Sequence, residues 1–218
     1  MDDDCDTTVD ESCFSCPVFG NDTFGYVGCA ETPGGTPPCP DIRTSGTPLS
    51  LFDDDNANVP IGFSFDFYGT SYTTGNVESN GAFTFGSVSF FTFANSCLPY
   101  SSVPAFIAPF WDDLNPEDGV ASQILYETRG SAPNRTFVVQ WDVEHYFTSP
   151  STADFRMVLF EGSNDIRVCY VDMDFGTPTY DFGLAATAGL QGDTATFLQY
   201  SCNAAVLADG LVLDYAHP

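Results

Sequence analysis

The sequence contains no lysine, and its only basic side chains are five arginines (Arg43, Arg129, Arg135, Arg156, Arg167) and two histidines. Against them stand 30 acidic residues in 218, a formal net charge of -25. Binding to a phosphate backbone or an anionic lipid surface draws on clustered Lys/Arg, so this balance argues against nucleic acid as a partner. Long apolar runs are missing too. No stretch approaches the ~18 residues of a membrane span, so no membrane insertion is expected. No window keeps a 3.6-residue apolar period, which leaves little room for amphipathic helices. Met1 is followed directly by Asp2-Asp3-Asp4-Cys5, with no visible signal peptide, so a secreted protein is expected here in its mature form or with an added start Met.

Nucleophile chemistry is equally short of parts. A Ser-His-Asp site needs a histidine within reach of a nucleophile, yet there is only His145, near the end of a predicted strand, and the penultimate His217. No Gly-x-Ser-x-Gly elbow is present. His145 is expected to be an ordinary half-exposed side chain and His217 to be inert. Carboxylate-pair hydrolysis has so many candidate acids that their number carries no specificity. The expectation is no enzyme.

What the sequence does have is cysteine and phenylalanine. Eight cysteines (Cys5, Cys13, Cys16, Cys29, Cys39, Cys97, Cys169, Cys202) are an even set. Cys13-x-x-Cys16 lacks the second ligand pair of a zinc knuckle and the βαβ setting of a redox pair. Structural disulfides and a secreted, extracellular or cell-surface location follow. Eight cysteines allow 105 connectivities; a Cys29–Cys39 bridge closing the Gly/Pro-rich loop is one plausible pairing. Asn21-Asp22-Thr23 and Asn134-Arg135-Thr136 fit the N-glycosylation pattern.

The 21 phenylalanines fall largely in alternating runs. In 59–68, Ile61, Phe63, Phe65 and Phe67 face one way and Gly62, Ser64 and Asp66 the other. Tyr68-Gly69-Thr70-Ser71 reads as a turn, Asn80-Gly81 as a hairpin, and 81–93 as an aromatic strand. Further strands are predicted at 103–110, 122–128, 136–143, 155–161, 166–171, 182–188, 195–200 and 211–215. Short strands at such spacing predict an all-β fold, a jelly-roll-like β-sandwich. Residues 1–40 form a Cys-rich, irregular, disulfide-tied N-terminal arm and 41–218 the sandwich. Within the arm Phe14, Val18, Phe19, Phe24 and Tyr26 are apolar. They either fold back onto the sandwich, the favoured reading, or add as a strand to a neighbour in a homo-oligomer or filament.

Two acidic loops suit a hard cation. Asp53-Asp54-Asp55 lies between strands, and Trp111 leads into a second loop offering Asp112, Asp113, Asn115, Glu117 and Asp118. Ca²⁺ takes six to eight oxygens, so calcium is the possible cofactor, with turn-making the competing role for these acids. Trp111, expected at a sheet edge, or Tyr146 would then offer a glycan platform.

In their order, 41–47 (DIRTSGT), 51–55 (LFDDD), 63–69 (FSFDFYG), 77–81 (VESNG), 107–116 (IAPFWDDLNP), 137–141 (FVVQW) and 158–167 (VLFEGSNDIR) resemble a recurring bacterial extracellular β-sandwich, the nidogen-like module. The resemblance implies a surface or secreted module without assigned catalysis. With no second domain attached, self-assembly is the leading expectation: a non-catalytic structural or adhesive module, forming a filament or sheath through the N-terminal arm. A calcium-assisted glycan-binding module is the alternative, and a carboxylate-based hydrolase the third reading. The expected partners are the chain itself, a surface protein or a glycan.

Overall fold

The alternating run around Phe65 becomes the longest strand, twelve residues with Val59, Ile61, Phe63, Phe65 and Phe67 all buried. The computed structural model describes residues 16–32, 38–88, 90, 92–103, 105–117, 122–146 and 151–218. Cys5, Cys13, Phe14 and Asp118 lie outside them. The strands in chain order are β1 (Val18–Asn21), β2 (Val27–Glu31), β3 (Thr47–Leu49), β4 (Asn56–Phe67), β5 (Thr70–Glu78), β6 (Phe83–Phe85), β7 (Phe106–Trp111), β8 (Leu114–Asn115), β9 (Gln123–Arg129), β10 (Thr136–His145), β11 (Thr152–Phe160), β12 (Ile166–Asp172), β13 (Thr187–Gln191), β14 (Phe197–Cys202) and β15 (Val212–Ala216).

They form two antiparallel sheets packed as a sandwich. One runs β1-β2-β15-β12-β11-β10-β9-β3, with β8 also on β10; the other runs β14-β13-β7-β6-β5-β4. The aromatic faces meet between them: Phe65, Phe67, Phe83, Phe85, Phe110, Phe137, Trp141 and Phe155 belong to one buried cluster. Pro60 sits in β4 because β4 is an edge strand, where a missing N–H breaks no central ladder. The β4–β5 turn takes two residues, Tyr68 (φ 50°) and Gly69 (φ 75°). Asn164 (φ 58°) turns the β11–β12 hairpin and accepts a hydrogen bond from Asp66 N at 2.9 Å.

Residues 38–46 cover the outer face of the larger sheet. Ile42 N donates to Gln140 Oε1 at 2.9 Å, and Arg43 reaches Asp142 at 2.7 Å and Asp154 at 2.8 Å. This cover explains why β10 is buried on both faces from Phe137 to His145. A second apolar cluster lies under it, including Cys39, Ile42, Val138, Val158 and Cys169. Cys39 therefore pairs with Cys169, not Cys29; Cys29 on β2 pairs with Cys16, just before β1. A third bridge joins Cys97 to Cys202.

Three other expectations change. Residues 182–188 hold no continuous strand: Phe182 (φ 56°) and Gly183 (φ 80°) form a 3-10 turn, and the strand begins at Thr187. The 81–93 strand ends at Phe85, because Gly86 (φ 70°) turns the chain out and Phe90 folds back onto Trp111. The arm is not irregular throughout. β1 and β2 pair with each other, and β2 extends the larger sheet beside β15. Their pattern is hidden by glycine, since a Cβ on Gly28 would lie 2.3 Å from the Phe19 ring. Phe19 packs on Tyr200 and Tyr215, Phe24 on Tyr68, and Tyr26 is fully buried; Val18 faces solvent. The described part of the arm thus lies on its own sandwich.

Candidate functional site

One end of the sandwich gathers the β5–β6 turn and the loops that precede β4 and follow β7. Gly81 (φ 71°) lets the turn press against β7: a Cβ there would lie 1.9 Å from Phe110 O. Phe110 N donates to Gly81 O at 3.1 Å. Beside it the buried Asn80 amide donates to Asp54 Oδ1 at 2.7 Å and accepts from Leu114 N at 2.9 Å. Ser79 adds two bonds to residue 55, from Ser79 N to Asp55 O at 2.9 Å and from Asp55 N to Ser79 Oγ at 3.0 Å. Asp53 N donates to Glu117 Oε2 at 3.2 Å.

These bonds draw the two acidic loops together. Asp53, Asp54 and Asp113 each place a carboxylate oxygen within 4.8 Å of the others. Burial pushes the Asp113 carboxyl up to about 6, with Asp53, Asp54 and Asp112 adding to the rise and His145 opposing it. An all-oxygen, all-carboxylate set of this kind fits a hard cation such as Ca²⁺ and lacks the nitrogen or sulfur donors that favour transition metals.

The predicted ligands divide. Asp113 faces the cluster. Asp112 is buried, accepts from Asp113 N at 2.9 Å, and places Oδ2 3.5 Å from His145 Nε2. Asn115 Oδ1 accepts from Glu117 N at 2.8 Å and so shapes the loop. Asp53 and Asp54, given only a minor place by the sequence, supply the other two carboxylates. The sequence does not mark Asn80 as the residue that fastens the loops. Its Asn-Gly pattern identifies the turn but not the partners of the side chain.

His145 is not half-exposed. It is 1% exposed, stacked on Tyr180 with ring centroids 3.7 Å apart. β10 carries it opposite Leu114 of β8, under the 175–181 loop. Trp111 is not at a sheet edge and offers no platform: β7 lies between β13 and β6, and the indole is fully buried against Phe90, Tyr100 and Phe106. Among the described residues, the exposed aromatics near the cluster are Phe52, next to Asp53 and 66% exposed, and Tyr146, whose N donates to Asp113 O.

An open groove of about 600 Å³ lies between Ser151, Thr152, Asp172, Asp174, Gly176 and Asp209. Its acids bond to amides of nearby turns: Asp172 to Asp174 N, Asp174 to Gly176 N, Asp209 to Met173 N. At the opposite end, Asn21 ends β1 and Asn134 lies in the β9–β10 turn, both exposed, and His217 Nε2 lies 3.0 Å from Asp66 Oδ1.

The family model described as NIDO related matches residues 38–210, which take in both acidic loops, the Asn80 turn and the groove acids. The chain belongs to the NIDO-related family. No curated protein and no solved structure matches it. The disulfides among the described residues and the NIDO-related family fit an extracellular protein, and among the described residues no helix is long and apolar enough to cross a membrane.

Proposed function

We propose that this NIDO-related protein is a non-catalytic structural or adhesive module that holds a neighbour through its acidic loop end. The observation carrying the proposal is the convergence of Asp53, Asp54 and Asp113 beside the exposed Phe52. Each of the five arginines is ion-paired within the chain: Arg43 with Asp142, Arg129 with Glu127, Arg135 with Glu161, Arg156 with Asp154 and Arg167 with Asp214. With those charges engaged and a net charge of -25, two copies repel unless cations lie between them. A divalent ion shared by this end and a second copy, a surface protein or a glycan meets that need.

Assembly into a filament or sheath is the extended form of the reading. Donation of residues 18–31 to a neighbour would require β1 and β2 to leave their own sheet and expose Tyr26 and Cys29, so the loop end is the better-supported contact surface. The test is light scattering and electron microscopy of the full chain in chelator and in millimolar calcium. Calcium-dependent growth supports the reading; a monomer in both rejects assembly.

Calcium-assisted glycan binding is the second reading, favoured by Phe52 and Tyr146 beside the carboxylates. A glycan array run with and without calcium decides it. Hydrolysis ranks third, because the groove acids accept hydrogen bonds from turn amides, which suits loop-building more than proton transfer.

A further inference from the structure

We propose that Asn134 carries an N-linked glycan and that the groove beside it holds the first sugar. Asn134-Arg135-Thr136 is an acceptor pattern. Asn134 is exposed in the turn between β9 and β10, where its backbone N–H bonds Ser131 O at 2.9 Å, and Thr136 opens β10. The site lies at the end of the sandwich opposite the acidic loops, so a glycan there leaves the proposed contact end open.

Next to Asn134 is an open groove of about 390 Å³, lined by Pro133, Arg135, Thr136, Phe160 and Gly162 among others. Pro133 and the partly buried Phe160 give it apolar surface, and Gly162 (φ 90°) adds no side chain to fill it. A sugar ring has an apolar C–H face that packs on such surface while its hydroxyls stay in water.

Charge separates this motif from Asn21-Asp22-Thr23. The donor for N-linked transfer is an oligosaccharide on a lipid pyrophosphate, which is anionic. Arg135 beside Asn134 is paired with Glu161 and adds no net negative charge there, whereas Asp22 beside Asn21 repels the donor. Asp22 also binds the amides of Phe24, Gly25 and Tyr26, and Thr23 Oγ1 donates to Ala195 O at 3.4 Å. In the transfer, Asn134 Nδ2 bonds to sugar C1 as the C1–O bond to pyrophosphate breaks. The lipid pyrophosphate leaves with the electron pair, the amide gives up one proton, and nothing is oxidised or reduced.

The test is the intact mass of the full chain secreted from a host that attaches N-glycans. Expected is carbohydrate mass that is lost in Asn134→Gln and Thr136→Ala and kept in Thr136→Ser and Asn21→Gln. In the glycosylated chain, nuclear Overhauser contacts are expected between the first sugar and the Phe160 ring. A bare-chain mass, or carbohydrate that persists in Asn134→Gln, overturns the modification. A glycan at Asn134 without Phe160 contacts overturns the seating.

Discussion

Asn80 holds Asp54 at 2.7 Å through its amide nitrogen while its oxygen takes the buried Leu114 N–H, so one side chain fixes the spacing of two acidic loops distant in sequence. Asn80→Ala removes both bonds and leaves the Leu114 N–H without its acceptor. A loss of roughly 2–4 kcal/mol is expected, since a buried orphaned donor costs more than the net value of the bond. Urea denaturation measures it; an unchanged midpoint would show that Asn80 does not hold the loops. Asn80→Asp places another carboxylate beside Asp54 and is expected to destabilise more at pH 7 than at pH 4.

Glu78, fully buried at the end of β5, is pushed up to about 9 by burial, against hydrogen bonds from Phe90 N and Thr84 Oγ1 that favour its charged form. The folded state therefore keeps a proton that the unfolded chain releases near pH 4.5. Folding stability contributed by this group is full below that pH and falls as pH rises toward 9, by at most about 1.4 kcal/mol per unit. Glu78→Gln keeps the shape without the proton. It is expected to match the wild type near pH 4 and to melt at higher temperature at pH 8. Parallel pH profiles of the two proteins would refute the assignment.

The sandwich was legible because a period of two survives in the strands that carry most of the core, as at Ile61, Phe63, Phe65 and Phe67. It was not legible in β1 and β2, where Gly28 takes the place of an apolar side chain to admit the Phe19 ring. Nor was it legible at 182–188, where apolar residues follow one another but Phe182 has left-handed backbone angles. The acidic site was half legible. Composition marks both loops, but their meeting depends on Asn80, on the fit of Gly81 against Phe110, and on a hydrogen bond from Asp53 to Glu117, all contacts between distant residues. Cysteine spacing failed for the same reason: Cys39 meets Cys169 because the 38–46 segment lies across the sheet.

The Cys39–Cys169 bridge spans a sequence separation of 130 and pins that segment over β12. Replacing both cysteines by serine is expected to cost about 2–5 kcal/mol, mainly by freeing the unfolded chain. It should also speed hydrogen exchange at Ile42 N, whose bond to Gln140 the bridge helps to hold. Unaltered exchange at Ile42 would mean that Arg43 and Arg156, through Asp41, Asp142 and Asp154, suffice to anchor the segment.

Calcium is expected to raise the melting temperature through Asp53, Asp54 and Asp113. Without a cation, the raised Asp113 carboxyl holds a proton in the folded state between its ordinary range near 4 and about 6, so its contribution to stability falls as pH rises through that window. A bound divalent ion opposes this by favouring the charged carboxylate. The calcium-induced shift should therefore be largest above pH 7 and shrink as pH drops through 6, with protons released on binding. At a hundredfold excess over Kd the stabilisation is about 2.7 kcal/mol. Asp113→Asn should remove most of it, and Asp53→Asn should weaken it. Calorimetry with no heat of binding, or an equal thermal shift in Asp113→Asn, would place any calcium effect elsewhere on this acidic surface.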